Sequence, residues 1–218
     1  MELACGTGRI SLALAKEFDI DITAIDLSDY MLGEFKEKLK VLPMDIKSRI
    51  AVINDNMVSF SSDKKFDIVI IPWRSFQYIT DDGEANACLL NCHKHLKDDG
   101  LFMIQVFNPP ESYNGWLGKK LPSYEDIDPK TGAKVIRSTE NVYLNEEAQV
   151  IHYLTKFDIH SPDSNFYTIE DLMKYKYYYK SQIEALLKRS GFLVSEFCYD
   201  FDFNNKNGTD MIFICRKK

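Results

Sequence analysis

The 218-residue chain has no apolar run long enough to cross a bilayer, although 45% of its residues are hydrophobic. It has no long basic run either. Its 27 Lys and Arg stand against 33 Asp and Glu, for a formal net charge of −6. That balance weighs against tight binding to nucleic acid or to an anionic membrane, both of which draw on clustered cations. A disulfide framework is missing: Cys5, Cys88, Cys92, Cys198 and Cys215 are an odd, scattered set, which points to reduced thiols in a cytoplasm. The first residues show no basic n-region, so a secretory signal is not expected. There is no internal repeat and no low-complexity tract. What is left is the size and composition of one α/β domain, residues 1–218, able to bury a sizeable core.

A more local absence decides more. The chain begins Met1-Glu2-Leu3-Ala4-Cys5-Gly6-Thr7-Gly8, a glycine loop where a strand should turn into a helix. Glycines there allow positive φ and let a ligand approach main-chain N–H groups. A dinucleotide fingerprint wants a third glycine, and Ser11 occupies its place. Asp19–Asp26 reads as the next strand and ends in a carboxylate eighteen residues after Gly8. A carboxylate at that strand end can accept hydrogen bonds from both hydroxyls of a ribose. Glu2 discriminates among adenosine ligands. Beside the loop, its charge would repel a pyrophosphate and favour a ligand carrying an ammonium group.

Glu2–Gly8 followed by Ile25-Asp26-Leu27-Ser28 resembles motifs I and II of the class I S-adenosylmethionine-dependent methyltransferases. Phe66–Ile71 is similar to the family's fourth strand, Leu96-Lys97-Asp98-Asp99-Gly100 to the run leading into its fifth, and Ser190-Gly191-Phe192 to the turn before its sixth. The resemblance spans the chain apart from roughly residues 110–175. It implies a Rossmann-like three-layer α/β sandwich with a mostly parallel sheet of order 3-2-1-4-5-7-6, strand 7 antiparallel. It implies S-adenosylmethionine as cofactor. Relatives of that kind carry a helical segment and a full first strand before the loop, so the chain is expected to lack a front segment and to have a more open cofactor site.

Hydrophobic periodicity fills in the alternation of strands and helices. Helices are expected at Arg9–Phe18, from Ser28 or Asp29, at Asp82–Leu96, and from Ser181, where Ser181–Glu184 has capping-box spacing. Further strands are expected at Ile50–Ile53, Leu101–Phe107, Leu193–Tyr199 and Met211–Arg216. Residues 111–179 break the pattern. Lys134–Tyr143 and Gln149–Ile159 read as two strands joined through Asn145-Glu146-Glu147, and Lys174–Tyr179 as a third. These would form an inserted antiparallel β cap, serving as a cover for a substrate pocket, as a surface for a homodimer, or as both.

In open α/β sheets ligands lie beyond the carboxyl ends of the strands. With the resemblance, this puts Gly6 and Gly8, within the Glu2–Gly8 loop that includes Ala4, against the methionine portion, Asp26 on the ribose, and Leu27 and Met31 near the adenine. After the third strand the family often has an acid, bonded to the adenine amino group, ahead of Met-x-x-Phe. Here Asp55-Asn56-Met57 precedes Phe60, and the choice between Asp55 and Asn56 stays open. Pro72 closes the fourth strand beside the cofactor. Trp73, Arg74 and Ser75 form a wall for the acceptor, with Phe107 and Asn108 behind them, while Tyr78 is expected to pack.

Displacement at a sulfonium asks mainly for alignment and desolvation. A hydroxyl acceptor also needs a base, for which His152 is the candidate; the catalytic residue is otherwise unassigned. Cys88 and Cys92 lie one helical turn apart, as metal ligands can, but in a stripe with Leu89 and Leu96 that reads as core, and no metal is expected. The expectation is methyl transfer to N or O of a small molecule in the cytoplasm, without nucleic acid or membrane. The alternatives are a binding or vestigial domain without turnover and a protein or RNA methyltransferase.

Overall fold

The alternating apolar segments fold into strands and helices in the following order in the computed structural model, which describes residues 1–113 and 115–218. They are β1 (Glu2–Leu3), α1 (Arg9–Glu17), β2 (Ile22–Asp26), α2 (Asp29–Lys40), α3 (Met44–Lys47), β3 (Ile50–Asn54), β4 (Phe66–Ile71), α4 (Asp82–His95) and β5 (Leu96–Phe107). Then come β6 (Tyr124–Ile127), β7 (Lys134–Asn145), β8 (Val150–His160), β9 (Phe166–Lys176), α5 (Lys180–Arg189), β10 (Phe192–Tyr199) and β11 (Asp210–Lys217). The chain divides into two units, Met1–Asn108 with Tyr178–Lys218, and Pro109–Tyr177.

The first unit holds a seven-stranded sheet of order β10-β11-β5-β4-β1-β2-β3. The pairs from β3 to β5 are parallel, and β11 runs antiparallel to both β5 and β10. Counting only this unit's strands, the order is the one that the resemblance implies. Helices cover both faces. Over one face, Leu32 and Phe35 of α2 and Ala15 of α1 pack on Ile22, Ala24 and Ile50. Over the other, α4 and α5 pack on β1, β4, β5 and β11. The α4 stripe Ala85, Cys88, Leu89, Cys92 follows helical spacing and is wholly buried. Cys88 and Cys92 are therefore core residues. The caps follow side-chain chemistry: Ser28 Oγ accepts from Met31 N–H at 3.3 Å and Asp81 Oδ1 from Glu84 N–H at 2.9 Å.

The second unit is a four-stranded antiparallel sheet of order β6-β7-β8-β9. Tyr113, Ile151 and Tyr177 form its buried centre, with Trp116, Leu144 and Tyr153 packed around them. The expected turn between β7 and β8 is present, with Ala148 N–H donating to Asn145 Oδ1 at 3.0 Å.

Several boundaries differ from the sequence reading. β2 begins at Ile22 rather than Asp19, and β5 begins at Leu96, directly from α4. The third inserted strand is Phe166–Lys176 rather than Lys174–Tyr179. Its Thr168, Glu170 and Asp171 interrupt the apolar pattern, whereas the tyrosines that follow suggested a strand but finish the ladder instead. Tyr177 N–H bonds Gln149 O at 2.9 Å, and Tyr178 lies buried in the first unit. β6 was not expected; all four of its residues are exposed, so it carries no alternation. The capping box sits two residues earlier than Ser181. Gln182 Oε1 accepts the N–H of Tyr179, the extended residue that precedes α5, at 2.8 Å.

Candidate functional site

The carboxyl ends of β1 and β2 hold a loop fixed largely by backbone groups. Gly6 N–H donates to Asp26 Oδ2 at 2.7 Å and Ser28 N–H to Asp26 Oδ1 at 2.9 Å. Each carboxylate oxygen keeps a further lone pair. Lys38 Nζ of α2 donates to Thr7 O at 3.1 Å and to Thr7 Oγ1 at 2.8 Å. The two glycines do different work. Gly8, at φ 76°, precedes α1, and a Cβ on it would lie 2.3 Å from the buried Phe35 ring. Gly8 thus lets α1 start against α2. Gly6, at φ 54°, has nothing within 4 Å of where a Cβ would stand, so its open side is free for a ligand.

Glu2 is buried beneath this loop, with 4% of its surface exposed. Ser11, wholly buried, donates through Oγ to Glu2 Oε2. The residue that breaks the dinucleotide fingerprint is therefore the one that holds the carboxylate. Burial pushes the Glu2 carboxyl up to about 6, against the lowering effect of the Ser11 hydrogen bond. Burial, with Glu2 and Asp26 nearby, also pushes the Cys5 thiol up to about 12, which leaves it an unreactive wall.

The loop borders a depression of about 350 Å³. Of the residues expected there, Glu2, Ala4, Gly6, Met31 and Trp73 line it; Cys5, Thr7, Arg9 and Ile10 were not foreseen. Trp73 and Arg74 follow β4 in left-handed conformations, φ 54° and 63°, a strain of about 1–2 kcal/mol each for residues with a Cβ. Two buried or half-buried partners hold them. Trp73 N–H donates to Gln105 Oε1 at 2.9 Å, and the Arg74 guanidinium forms two bonds to Asp210, at 2.6 and 3.0 Å. Trp73 is thereby set with its ring under the Arg9 guanidinium, 3.9 Å from Cζ to the ring centroid.

Residues 1–100 match the family described as "Methyltransferase domain". A protein of Geobacillus sp. (strain WCH70) that bears the name of a methyltransferase is 26% identical over 220 residues, covering 100% of this chain and 83% of that one. The dTDP-3-amino-3,4,6-trideoxy-alpha-D-glucopyranose N,N-dimethyltransferase of Streptomyces venezuelae is 22% identical over 195 residues, 89% of this chain and 75% of that one. In fold, the crystal structure of a S-adenosylmethionine-dependent methyltransferase from Clostridium acetobutylicum ATCC 824 superposes with a TM-score of 0.79 at 19% identity, covering 99% of this chain and 82% of that one.

Residues 1–100 therefore carry the methyltransferase domain, and the relatives and the shared fold support a class I methyltransferase. A glycopeptide N-methyltransferase of this fold is solved with S-adenosylmethionine bound (TM-score 0.64, 19% identity, covering 100% of this chain and 80% of that one), and the pocket here fits that ligand on its own terms. Glu2 places a carboxylate where a pyrophosphate would need donors, and Gly6 leaves room beside it.

The other residues expected in the methyltransferase's site do not line this pocket. Leu27 is 68% exposed at the end of β2. Asp55 Oδ1 accepts from Asn56 N–H at 2.7 Å, and Asn56 Oδ1 from Val58 N–H at 2.9 Å, so both begin a turn. Met57 packs against the core and Pro72 is buried. Ser75 opens the short 3-10 turn Ser75–Tyr78. Phe107 N–H donates to Gln77 Oε1 at 2.5 Å, and Asn108 Nδ2 to Asn207 Oδ1 at 3.0 Å and Gly208 O at 2.8 Å. Tyr78, expected to pack, is 51% exposed, while Phe76 is buried against Tyr178. His152 lies in β8 of the inserted unit, its ring 4.7 Å from that of Tyr143, and burial followed by the Lys174 charge holds it below the usual imidazole range. His95 is buried beside Phe60, its Nε2 accepting from Ser62 N–H at 3.3 Å.

Of the unforeseen lining residues, Arg9 had a signal in the sequence. A side chain at the first position of a helix leans back over the preceding loop.

Proposed function

We propose that this methyltransferase acts on a nitrogen or oxygen of a small molecule, with a neutral amine as the favoured acceptor. S-adenosylmethionine supplies a methyl group already activated on a sulfonium, so the protein's part is to align the partners and keep water out. The observation that carries the amine is the composition of the pocket. Among the described residues its ionisable lining is Glu2, Cys5 and Arg9. The thiol is held protonated, and Glu2 is needed as a counter-charge to the cofactor's ammonium. None of these is suited to take a proton from a hydroxyl, whereas an amine needs only its own lone pair. The Streptomyces venezuelae relative, whose name gives it an amino sugar, supports the same reading.

In this assignment Gly6 and Gly8 flank the methionine portion, Asp26 offers its remaining lone pairs to the ribose, and Leu27 and Met31 cover the adenine. The adenine amino group goes to Asp55, whose second carboxylate oxygen remains an acceptor after Oδ1 takes Asn56 N–H, whereas the single acceptor oxygen of Asn56 already takes Val58 N–H. Met57 and Pro72 back the cofactor. Trp73, Ser75 and Phe107 face the acceptor, while Arg74 and Asn108, bonded to Asp210 and to the Asn207–Gly208 turn, hold that wall in shape.

Mass spectrometry of ligand retained on the purified protein, followed by transfer of labelled methyl from S-adenosylmethionine to a panel of primary and secondary amines and matched alcohols, tests the reading. Retained S-adenosylhomocysteine and labelling of amines are expected. Retained NAD, or labelling of alcohols alone, would overturn it.

A further inference from the structure

We propose that Arg9 determines specificity for the cofactor's carboxylate, completing with Glu2 a reader of its α-amino-acid end. The inference rests on S-adenosylmethionine as the ligand of this pocket and adds a residue to it.

Two charges of opposite sign line one depression, and each is held with capacity to spare. Ser11 holds the Glu2 carboxylate through its hydroxyl on Oε2 and through its backbone N–H, which leaves other lone pairs of the two oxygens for a ligand. Arg9 is exposed, and among the described residues it makes no hydrogen bond or ion pair; its guanidinium rests on the Trp73 ring. Stacking on an indole leaves the in-plane N–H groups of a guanidinium free, and those groups match a carboxylate in a two-bond fork. The shelf itself is built. Trp73 is kept in a left-handed conformation by its bond to the buried Gln105, and the next residue by the Arg74–Asp210 pair. A pocket with one fixed carboxylate and one pre-positioned guanidinium is the electrostatic complement of a zwitterion. A ligand with only an ammonium would leave Arg9 unused.

Calorimetric titration with three ligands at pH 7.5 separates the contributions. S-adenosylhomocysteine carries both charges, decarboxylated S-adenosylmethionine keeps an ammonium but no carboxylate, and 5′-methylthioadenosine has neither. Arg9→Gln is expected to weaken S-adenosylhomocysteine by about tenfold to a hundredfold, the range for a charge-assisted pair of hydrogen bonds. It should leave the other two within about twofold. Arg9→Lys should recover part of the loss, and Glu2→Gln should weaken the two ammonium ligands but not 5′-methylthioadenosine. Arg9→Gln binding S-adenosylhomocysteine like the wild type, or losing all three ligands alike, would overturn the assignment of Arg9. A wild-type protein that binds none of the three would overturn the cofactor reading on which it stands.

Discussion

In the seven-stranded unit the residues of the pocket are fixed by the backbone around them, whereas in the inserted unit side chain packs on side chain and the packing is largely aromatic. Asp26 takes two main-chain N–H groups, Trp73 is held through its own N–H, and Gly8 is pressed on Phe35. In the inserted unit Tyr113 lies 4.5 Å from Tyr177 and 4.7 Å from Trp116, ring centre to ring centre, around the buried Ile151. Its edge strand β9 leaves Phe166, Tyr167, Ile169 and Leu172 at least half exposed. The first arrangement places atoms for chemistry. The second builds a small sheet with a thin centre and much apolar surface left over.

The comparison can be broken first at the glycines. Gly8→Ala should destabilise the protein by about 3–4 kcal/mol, combining left-handed strain with overpacking against Phe35. Gly6→Ala should cost only about 1 kcal/mol for the strain, while abolishing cofactor binding. Urea melts and calorimetry would show this, and equal destabilisation would mean that both glycines are packing residues. Next, Ile151→Ala should cost about 3 kcal/mol. Hydrogen exchange should report the loss in β7, β8 and β9 but not in β1–β5; faster exchange throughout would show that the units share one stability.

Glu2 then sharpens the contrast through pH. Its folded carboxyl sits at about 6, above the ordinary 4.5, so the folded state holds the extra proton. Glu2's contribution to the stability of the ligand-free protein is full below pH 4.5 and declines by about 2 kcal/mol as pH rises through 6. Ligand affinity should move the other way, strengthening through the same range as the carboxylate forms. Thermal melts and titrations between pH 4.5 and 7.5, run on the wild type and on Glu2→Gln, would test both signs, the difference between the two proteins isolating Glu2 from the Met1 amine, which burial lowers to about 6. Smallest of all, Leu172→Thr on the exposed face of β9 should shift stability by no more than about 0.5 kcal/mol. A larger loss would mean that this face is covered.

The sheet order and most elements of the first unit were legible because parallel strands buried on both faces read as short apolar runs, and helices α2 and α4 carry recognisable caps. The inserted strands were harder. β7 and β8 alternate, but β9 mixes acids into its apolar face and β6 has no buried residue to set a period. In the pocket, Glu2, Gly6, Met31 and Trp73 followed from loop pattern and strand ends. What sequence could not supply was the division of labour between neighbours. Gly8 serves Phe35, Arg74 serves Asp210, and Ser11, noted only as a missing glycine, serves Glu2. Each depends on a partner distant in the chain, and pattern within a segment does not register it.

The chain has two tryptophans, and each unit holds one: Trp73 beside the pocket and Trp116 among the tyrosines of the inserted sheet. Their optical surroundings contrast, one indole half in solvent beneath a guanidinium, the other ringed by Tyr113 and Tyr153. Replacing either one with Phe leaves an intrinsic fluorophore that reports on a single unit. Trp116→Phe gives emission sensitive to what enters beside Arg9, and Trp73→Phe gives energy transfer from tyrosine as a gauge of the inserted sheet, so the protein supplies its own pair of spectral labels.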